Sequence, residues 1–448
     1  MFTRSKFQLH LAGLHARYPQ LGKIVANLNW LTGESILRMV VGVVVGAWVA
    51  RYLGPASFGL FNRAGAWVAL AAVLVALGMD TIVKGELIRS PEKKTAILGT
   101  ALFMKLIAGA VSLVAILAFV GGFASKEERW ILGILSCGVM FQALGTFNLW
   151  FQATLQTKRS VLAANFSLVI FSIVRVILIV ARAPLVGFAA AAALEIFLTG
   201  LLLMAFYRCD TRDLHRWHFD RGIALRFLQR GFPLLLSGLA VTVYMRIDLI
   251  MLGDMVGDEA VGVYSAAARI SELPYFIPSI VSTALFPSII RTSDSEDGKH
   301  RQRMSLYFRT SASLAYLITI PTVLLAPFIV HLLFGQRFTG ADSVLVIHIW
   351  ALVFVFMGVA REQYLVAEGL LWFSMLSTLA GALLNVGLNL WLIPDYGPKG
   401  AAIATVISYG LSAVISSLCY PRTRGIGWVQ LKALFCPLLS MPRTILPR

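Results

Sequence analysis

Glu34 and Arg38 stand four residues apart in an otherwise apolar stretch, which puts both on one face of a helix, with Gly42 and Gly46 continuing the stripe. Further along, Arg63, Asp80, Lys105 and Arg175 each interrupt apolar sequence, and Glu195 and Thr199 share a helical face. Tyr244, Arg246 and Asp248 crowd together, Ser265, Arg269 and Glu272 recur at helical spacing, and Asn385, Asn389, Thr405 and Ser408 close the series. Such residues bind and carry charge rather than break bonds. The surplus of arginine over acid suggests an anionic ligand, because a guanidinium stays charged and grips phosphate through two parallel hydrogen bonds. Arg38, Arg63, Arg246 and Arg269, with Glu34, are therefore the candidate binding residues. Asp80, Asp248 and Glu272 are candidates for coupling to protons or another ion.

A structural reading competes at every one of these positions. It pairs Glu34 with Arg38, Arg269 with Glu272 and Arg246 with Asp248, since an ionisable group alone in hydrocarbon costs at least about 2.5 kcal/mol. The last pairing is poor, because residues two apart point about 200° apart on a helix. Arg51, Lys105 and Arg182 lie close enough to the ends of apolar runs to snorkel toward water. The Gly42–Gly46 pair reads as a helix-packing surface.

Catalytic signatures are missing. There is no Walker A sequence, no HExxH and no GxSxG, and the seven histidines show no metal-ligand spacing beyond His215 and His218 in a charged loop. No cofactor and no enzymatic activity are expected. Four cysteines, Cys137, Cys209, Cys419 and Cys436, show no disulfide or metal spacing.

The elements that must position these residues are membrane helices. Apolar residues make up 58% of the 448-residue chain and charged residues 14%, and the apolar residues come in runs near the roughly 20 needed to cross hydrocarbon. The predicted spans are 31–52, 58–82, 96–120, 130–153, 161–181, 184–206, 232–252, 260–289, 311–334, 343–366, 370–392 and 399–419. Arg17 and Lys23 interrupt the first 30 residues, so a cleaved signal peptide is not expected and the first helix stays as an anchor. Pro274, Pro278 and Pro287 give the eighth span places to bend.

Loop charge alternates in phase with the spans. Lys84, Arg89, Lys93 and Lys94, then Lys158 and Arg159, then the arginines from Arg208 to Arg230, then Arg291 to Arg309 mark one side. Arg4, Lys6, Arg17, Lys23, Arg422, Arg424 and Lys432 join them, which predicts both termini in the cytoplasm. This topology accounts for most of the net charge of +17, so nucleic acid is rejected as a partner, while membrane lipids are expected ones.

The longest hydrophilic stretch, 207–230, divides the chain almost in half. This predicts an N-terminal lobe over 1–206, a cytoplasmic linker over 207–230, a C-terminal lobe over 231–420 and a cytoplasmic tail over 421–448. The halves repeat weakly: Gly59 and Phe61 match Gly262 and Tyr264 at an offset of 203 residues, and Gly187 matches Gly400 at 213. An even number of helices per half makes the repeats parallel, with a cavity expected along the axis between them.

Four motifs in order resemble a known family. VARYLGPASFGLF (49–61), LGMD (77–80) with KGEL (84–87), RIDLIMLG (246–253) with VGVYSAAARISE (261–272), and IPDYGPKGAAIAT (393–405) resemble polysaccharide-biosynthesis flippases of the Wzx type, within the multidrug/oligosaccharidyl-lipid/polysaccharide exporter superfamily. The resemblance covers nearly the whole chain. It implies an all-α membrane protein of about twelve helices in two pseudo-symmetric six-helix bundles around a central cavity, like the lipid II flippases and the multidrug exporters of the superfamily. It further implies flipping of a polyprenyl-diphosphate-linked oligosaccharide, such as an O-antigen or exopolysaccharide unit, across a bacterial inner membrane. A polysaccharide polymerase and a chain-length regulator are the implied partners. In the related lipid II flippases, cavity arginines on helices one, two and eight matter, and Arg38, Arg63 and Arg269 occupy matching helices here. The competing expectations are a cation-coupled drug or metabolite exporter, whose cavity should carry unpaired acids, and a membrane glycosyltransferase or polymerase, which would need a larger outer loop.

Overall fold

A glycine followed by a proline shapes the start of the fold. In the computed structural model, helix α1 runs from Pro19 to Ala76 but breaks at Gly54, whose φ of 75° and ψ of 171° are far from helical. Pro55 then opens the next helical segment, a position where its missing amide donor costs nothing. The predicted spans 31–52 and 58–82 lie on either side of this break. The structure describes residues 19–119, 125–282 and 297–435. Arg4, Lys6, Arg17, Pro287, Arg291 and Cys436, used in the sequence reading, lie outside the described residues, as does the leader stretch before residue 19.

The remaining helices are α2 (Asp80–Arg89), α3 (Lys94–Phe119), α4 (Lys126–Phe141), α5 (Thr146–Ala153), α6 (Thr157–Val180), α7 (Leu185–Thr211), α8 (Arg221–Met255), α9 (Asp258–Glu272), α10 (Asp297–Phe334), α11 (Ala341–His348), α12 (Ala351–Ala367), α13 (Leu371–Tyr396), α14 (Pro398–Gly410) and α15 (Arg424–Phe435). Among the described residues, 10 helices are long and apolar enough to cross a membrane. The first of them holds two predicted spans, and α9 with the helical segment that follows to residue 282 begins the predicted span 260–289. The fold is thus an all-helical membrane bundle, as the apolar runs require. Leu162, Phe166, Val169, Ile173 and Ile177 show what faces the lipid: all are exposed, at helical spacing along α6.

The chain divides into two compact units. One comprises Met1–Val45 with Val68–Leu236, the other Gly46–Trp67 with Ser237–Arg448, so α1 and α8 each contribute to both.

In the first unit, Met79, Leu98, Phe147, Phe151, Leu203, Tyr207 and Phe227 form a buried core. The hydrophilic stretch after α7 is strapped onto it. Trp217 stacks on Phe147 with ring centres 4.9 Å apart, and its indole nitrogen donates to the Tyr207 hydroxyl at 3.2 Å. Tyr207 donates to Asp213 at 2.7 Å, and the Lys94 ammonium lies 2.6 Å from the other carboxylate oxygen. Burial opposes the Asp213 charge, but hydrogen bonds from Lys94, Tyr207 and Thr211 outweigh it and hold the carboxyl below its ordinary value.

In the second unit, α15 packs on α10 and α12 through Met304, Tyr307, Phe308, Met357, Val414 and Ile426. A π-helical turn at Leu411–Ile415 leaves the Ala413 carbonyl to accept from the buried Gln430 amide at 3.1 Å.

The internal repeat is visible in the backbone of this second unit. Gly257, 203 residues after Gly54, has φ 119° and ψ 172°, and it too precedes a helix. Five residues further on, the two helices touch. A Cβ built on Gly59 would collide with the Asp258 carbonyl, and one on Gly262 with the Pro55 carbonyl, so only glycine fits at either place.

Candidate functional site

Four helices of the second unit converge on the Asp248 carboxylate. Asp248 lies on α8 and is 2% exposed. One of its oxygens accepts the Tyr264 hydroxyl at 2.7 Å and the Thr405 hydroxyl at 2.6 Å, and the other accepts the Asn389 amide at 2.5 Å. These donors come from α9, α14 and α13. Asn389 also donates to Asn385 at 3.2 Å, the residue one turn earlier on the same buried face. Thr405 has a second acceptor, the Ala401 carbonyl at 3.0 Å, but a hydroxyl has one proton and serves one acceptor at a time.

Among the described residues Asp248 has no ion-pair partner, so its charge is balanced only by neutral dipoles. Among the described residues, the buried Asn389 carbonyl oxygen and, on α9 and α14, the Ser265 and Ser408 hydroxyls have no hydrogen-bond partner. Burial without full pairing is costly. A buried carboxylate held by three neutral donors is chemically suited to take up a proton.

Arg246, two residues before Asp248, points elsewhere, as the helical angle requires. It lies 3.6 Å from Glu272 on α9, with 38% and 24% of the two side chains exposed. The local pairing of Arg246 with Asp248 weighed in the sequence is therefore not made. Arg269 crosses over the Phe58 ring at 5.5 Å, and its guanidinium occupies the space above Gly46. Arg63 is 13% exposed and lies 3.3 Å from Asp258 and 3.7 Å from Asp254, with its stem against Gly253. Each of these two arginines thus rests on a glycine of the other half of the sequence.

In the first unit, Arg38 and Glu34 form the anticipated pair at 2.7 Å, the arginine 54% exposed and the glutamate 18%. Arg175 of α6 meets Glu195 of α7 at 2.5 Å. Asp80 meets Lys105 at 2.6 Å, and the lysine is 5% exposed. That replaces the snorkelling expected of Lys105: its buried side chain reaches the half-exposed Asp80 carboxylate and pairs with it. Arg51 also has a protein partner, donating to the His331 and Leu332 carbonyls at the end of α10.

Two members of the site escaped the sequence reading. Tyr264 was noted there only as a repeat match, although it is a main donor to Asp248. Behind it, the buried His348 ring stands edge-on at 5.5 Å and shares a hydrogen bond of 2.7 Å with Ser271.

The sequence pattern described as "Polysaccharide biosynthesis protein" matches residues 24–293, well over half of the chain. The chain belongs to this polysaccharide biosynthesis family. The MatE pattern also matches, over residues 233–391. The family member is 23% identical over 417 residues to the lipid III flippase of Escherichia coli (strain K12), spanning 87% of this chain and 95% of that one. It is 25% identical over 413 residues to the probable flippase AglR of Haloferax volcanii, spanning 87% and 82%. Among solved structures, lipid II flippase MurJ in an inward closed conformation superposes with a TM-score of 0.72 at 16% identity, covering 92% of this chain and 91% of that one. An inward-facing multidrug resistance MATE family transporter of the MOP superfamily gives 0.70 at 20%, covering 88% and 94%. The shared fold is the two-lobed helical bundle of that superfamily. The protein is accordingly a multi-pass membrane transporter rather than an enzyme.

Proposed function

We propose that this transporter flips a polyprenyl-diphosphate-linked oligosaccharide from the cytoplasmic to the outer leaflet of a bacterial inner membrane. The observation that carries the reading is that two guanidinium groups on membrane helices remain substantially exposed, Arg38 at 54% and Arg246 at 38%. Each has a carboxylate partner, Glu34 or Glu272, yet keeps donor capacity and exposed surface that a phosphate could use. In this reading Arg246 and Arg269 of the second unit hold the diphosphate and the first sugars, and Arg38 of the first unit, oriented by Glu34, is a further phosphate-binding candidate. Arg63 contributes by trading its two carboxylates for the ligand. The polyprenyl tail stays in lipid while alternating access carries the headgroup across. The names of the relatives, a lipid III flippase and a putative O-antigen transporter of Shigella flexneri among them, favour this substrate class.

Asp248 is the coupling residue in this reading. Asp80 and Glu272 already face cations, Lys105 and Arg246, whereas Asp248 has only neutral donors. Proton or cation entry would neutralise it, and exit would restore the charge, giving two states of the four-helix junction.

Deletion of the gene tests the proposal. The expected result is accumulation of cytoplasm-facing lipid-linked glycan and loss of surface glycan, restored by the wild-type chain. Unchanged glycan display without such accumulation would sink it. Export of cationic drugs by the purified chain, with no flipping of lipid-linked sugar, would favour the drug-exporter reading instead.

A further inference from the structure

A basic cavity of about 410 Å³ opens at one end of the first unit, lined by Lys158, Arg159, Leu162, Phe206, Cys209 and Asp210. It lies where α6 begins and α7 ends, the end that loop charge assigns to the cytoplasm. None of these residues belongs to the Asp248 junction or to the arginines above.

Two properties of the cavity define its occupant. The first is charge. Arg159 meets Asp210 at 2.9 Å and lies over the Phe151 ring at 5.9 Å, which fixes the guanidinium at the cavity wall. One carboxylate uses only part of the five-donor fork, and Lys158 adds a second cation, so the lining is net positive. Arg208 and Arg212, both exposed, flank Cys209 and Asp210 in the sequence and add to the local field. The second property is continuity with the lipid-facing stripe of α6. Leu162 is both a wall of the cavity and the first residue of that stripe, 43% exposed, with Phe166, Val169, Ile173 and Ile177 continuing it. A soluble anion would use the charge but not the stripe.

We infer that this cavity binds the phosphate headgroup of an anionic glycerophospholipid of the cytoplasmic leaflet, with its acyl chains along the α6 stripe. Lys158 and Arg159 hold the phosphate, and Leu162 and Phe166 receive the first methylenes. Basic pockets between helices on the cytoplasmic face suit such headgroups.

Cys209 in the lining supplies the readout. The full chain with Cys137, Cys419 and Cys436 replaced by alanine is placed in nanodiscs of phosphatidylcholine, or of phosphatidylcholine with phosphatidylglycerol, and labelled with N-ethylmaleimide. Phosphatidylglycerol is expected to slow labelling of Cys209 about fivefold, and Lys158→Ala with Arg159→Ala is expected to abolish the protection. A matched chain keeping only Cys419, an exposed thiol near the last span, reports any general effect of the charged surface. Equal labelling in both lipids, protection that survives the double substitution, or equal slowing of Cys419 would overturn the assignment. Protection by inorganic phosphate in phosphatidylcholine alone would also overturn it, in favour of a soluble phosphate.

Discussion

Arg269 and Gly46 share one volume: a side chain at residue 46 would overlap the Arg269 guanidinium where it lies over the Phe58 ring. The glycine is therefore a seat for a charged group, not simply a smooth packing surface.

Filling that seat should displace the arginine. Gly46→Leu is expected to lower flipping by reconstituted protein about tenfold or more, consistent with an overpacking cost of 1–3 kcal/mol, while Gly46→Ala has a smaller effect. In an Arg269→Ala background, Gly46→Leu should cost much less, because the two changes act on one contact. Additive losses in a double-mutant cycle of initial flipping rates would refute the shared seat.

Asp248→Asn keeps the size and most of the hydrogen bonds of the carboxylate but removes its charge. The variant is expected to fold and reach the membrane at wild-type levels, yet to lose dependence of flipping on the imposed proton or sodium gradient. Asn389→Leu should instead destabilise the second unit, since it strips a donor from a charge that remains buried. Gradient-driven flipping that persists in Asp248→Asn liposomes would remove Asp248 from the coupling role.

The Asp80–Lys105 pair makes a different prediction, about stability. Asp80→Asn leaves the buried Lys105 without its carboxylate, and because the Asp80 side chain is 47% exposed the expected cost is about 1 kcal/mol. Asp80→Asn combined with Lys105→Met should recover much of that loss. Melting of detergent-solubilised protein, followed by size-exclusion recovery, separates these outcomes.

At the strap after α7, pH is the probe. The Asp213 carboxyl is held below its ordinary value of 3.8 in the folded chain, so it contributes stability above that value. The contribution is lost as pH falls through the lower, folded value. Wild type and Asp213→Asn should therefore differ by a constant amount in melting temperature above about pH 5 and converge in stronger acid. A gap that widens on acidification would contradict the Lys94–Asp213–Tyr207 arrangement.

Much of this fold was legible because hydrocarbon imposes length and polarity on each helix separately. The apolar runs and the Glu34–Arg38 pair both follow from residues close in sequence. The helical angle between Arg246 and Asp248 was also enough to argue against their pairing. The donors to Asp248 were harder to read, because Tyr264, Asn389 and Thr405 lie 16, 141 and 157 residues away. No local periodicity says which helical faces meet. Asn385, Asn389 and Thr405 were visible as polar residues in spans, yet their common acceptor emerges only from helix packing. Lys105 was misread for a related reason: its partner on α2 is 25 residues away.

The reciprocal crossing at Gly59 and Gly262 carries a consequence for ancestry. Each glycine meets the carbonyl four residues before the other, so exchanging the two halves of the sequence reproduces the contact. That is the rule of an isologous interface between two identical subunits. A chain of half this length, pairing with its own copy across a twofold axis, would make the same crossing from a single glycine. Gene fusion would then have freed each half to specialise: Asp248 in the later half stands where the earlier one, 203 residues back, has Val45.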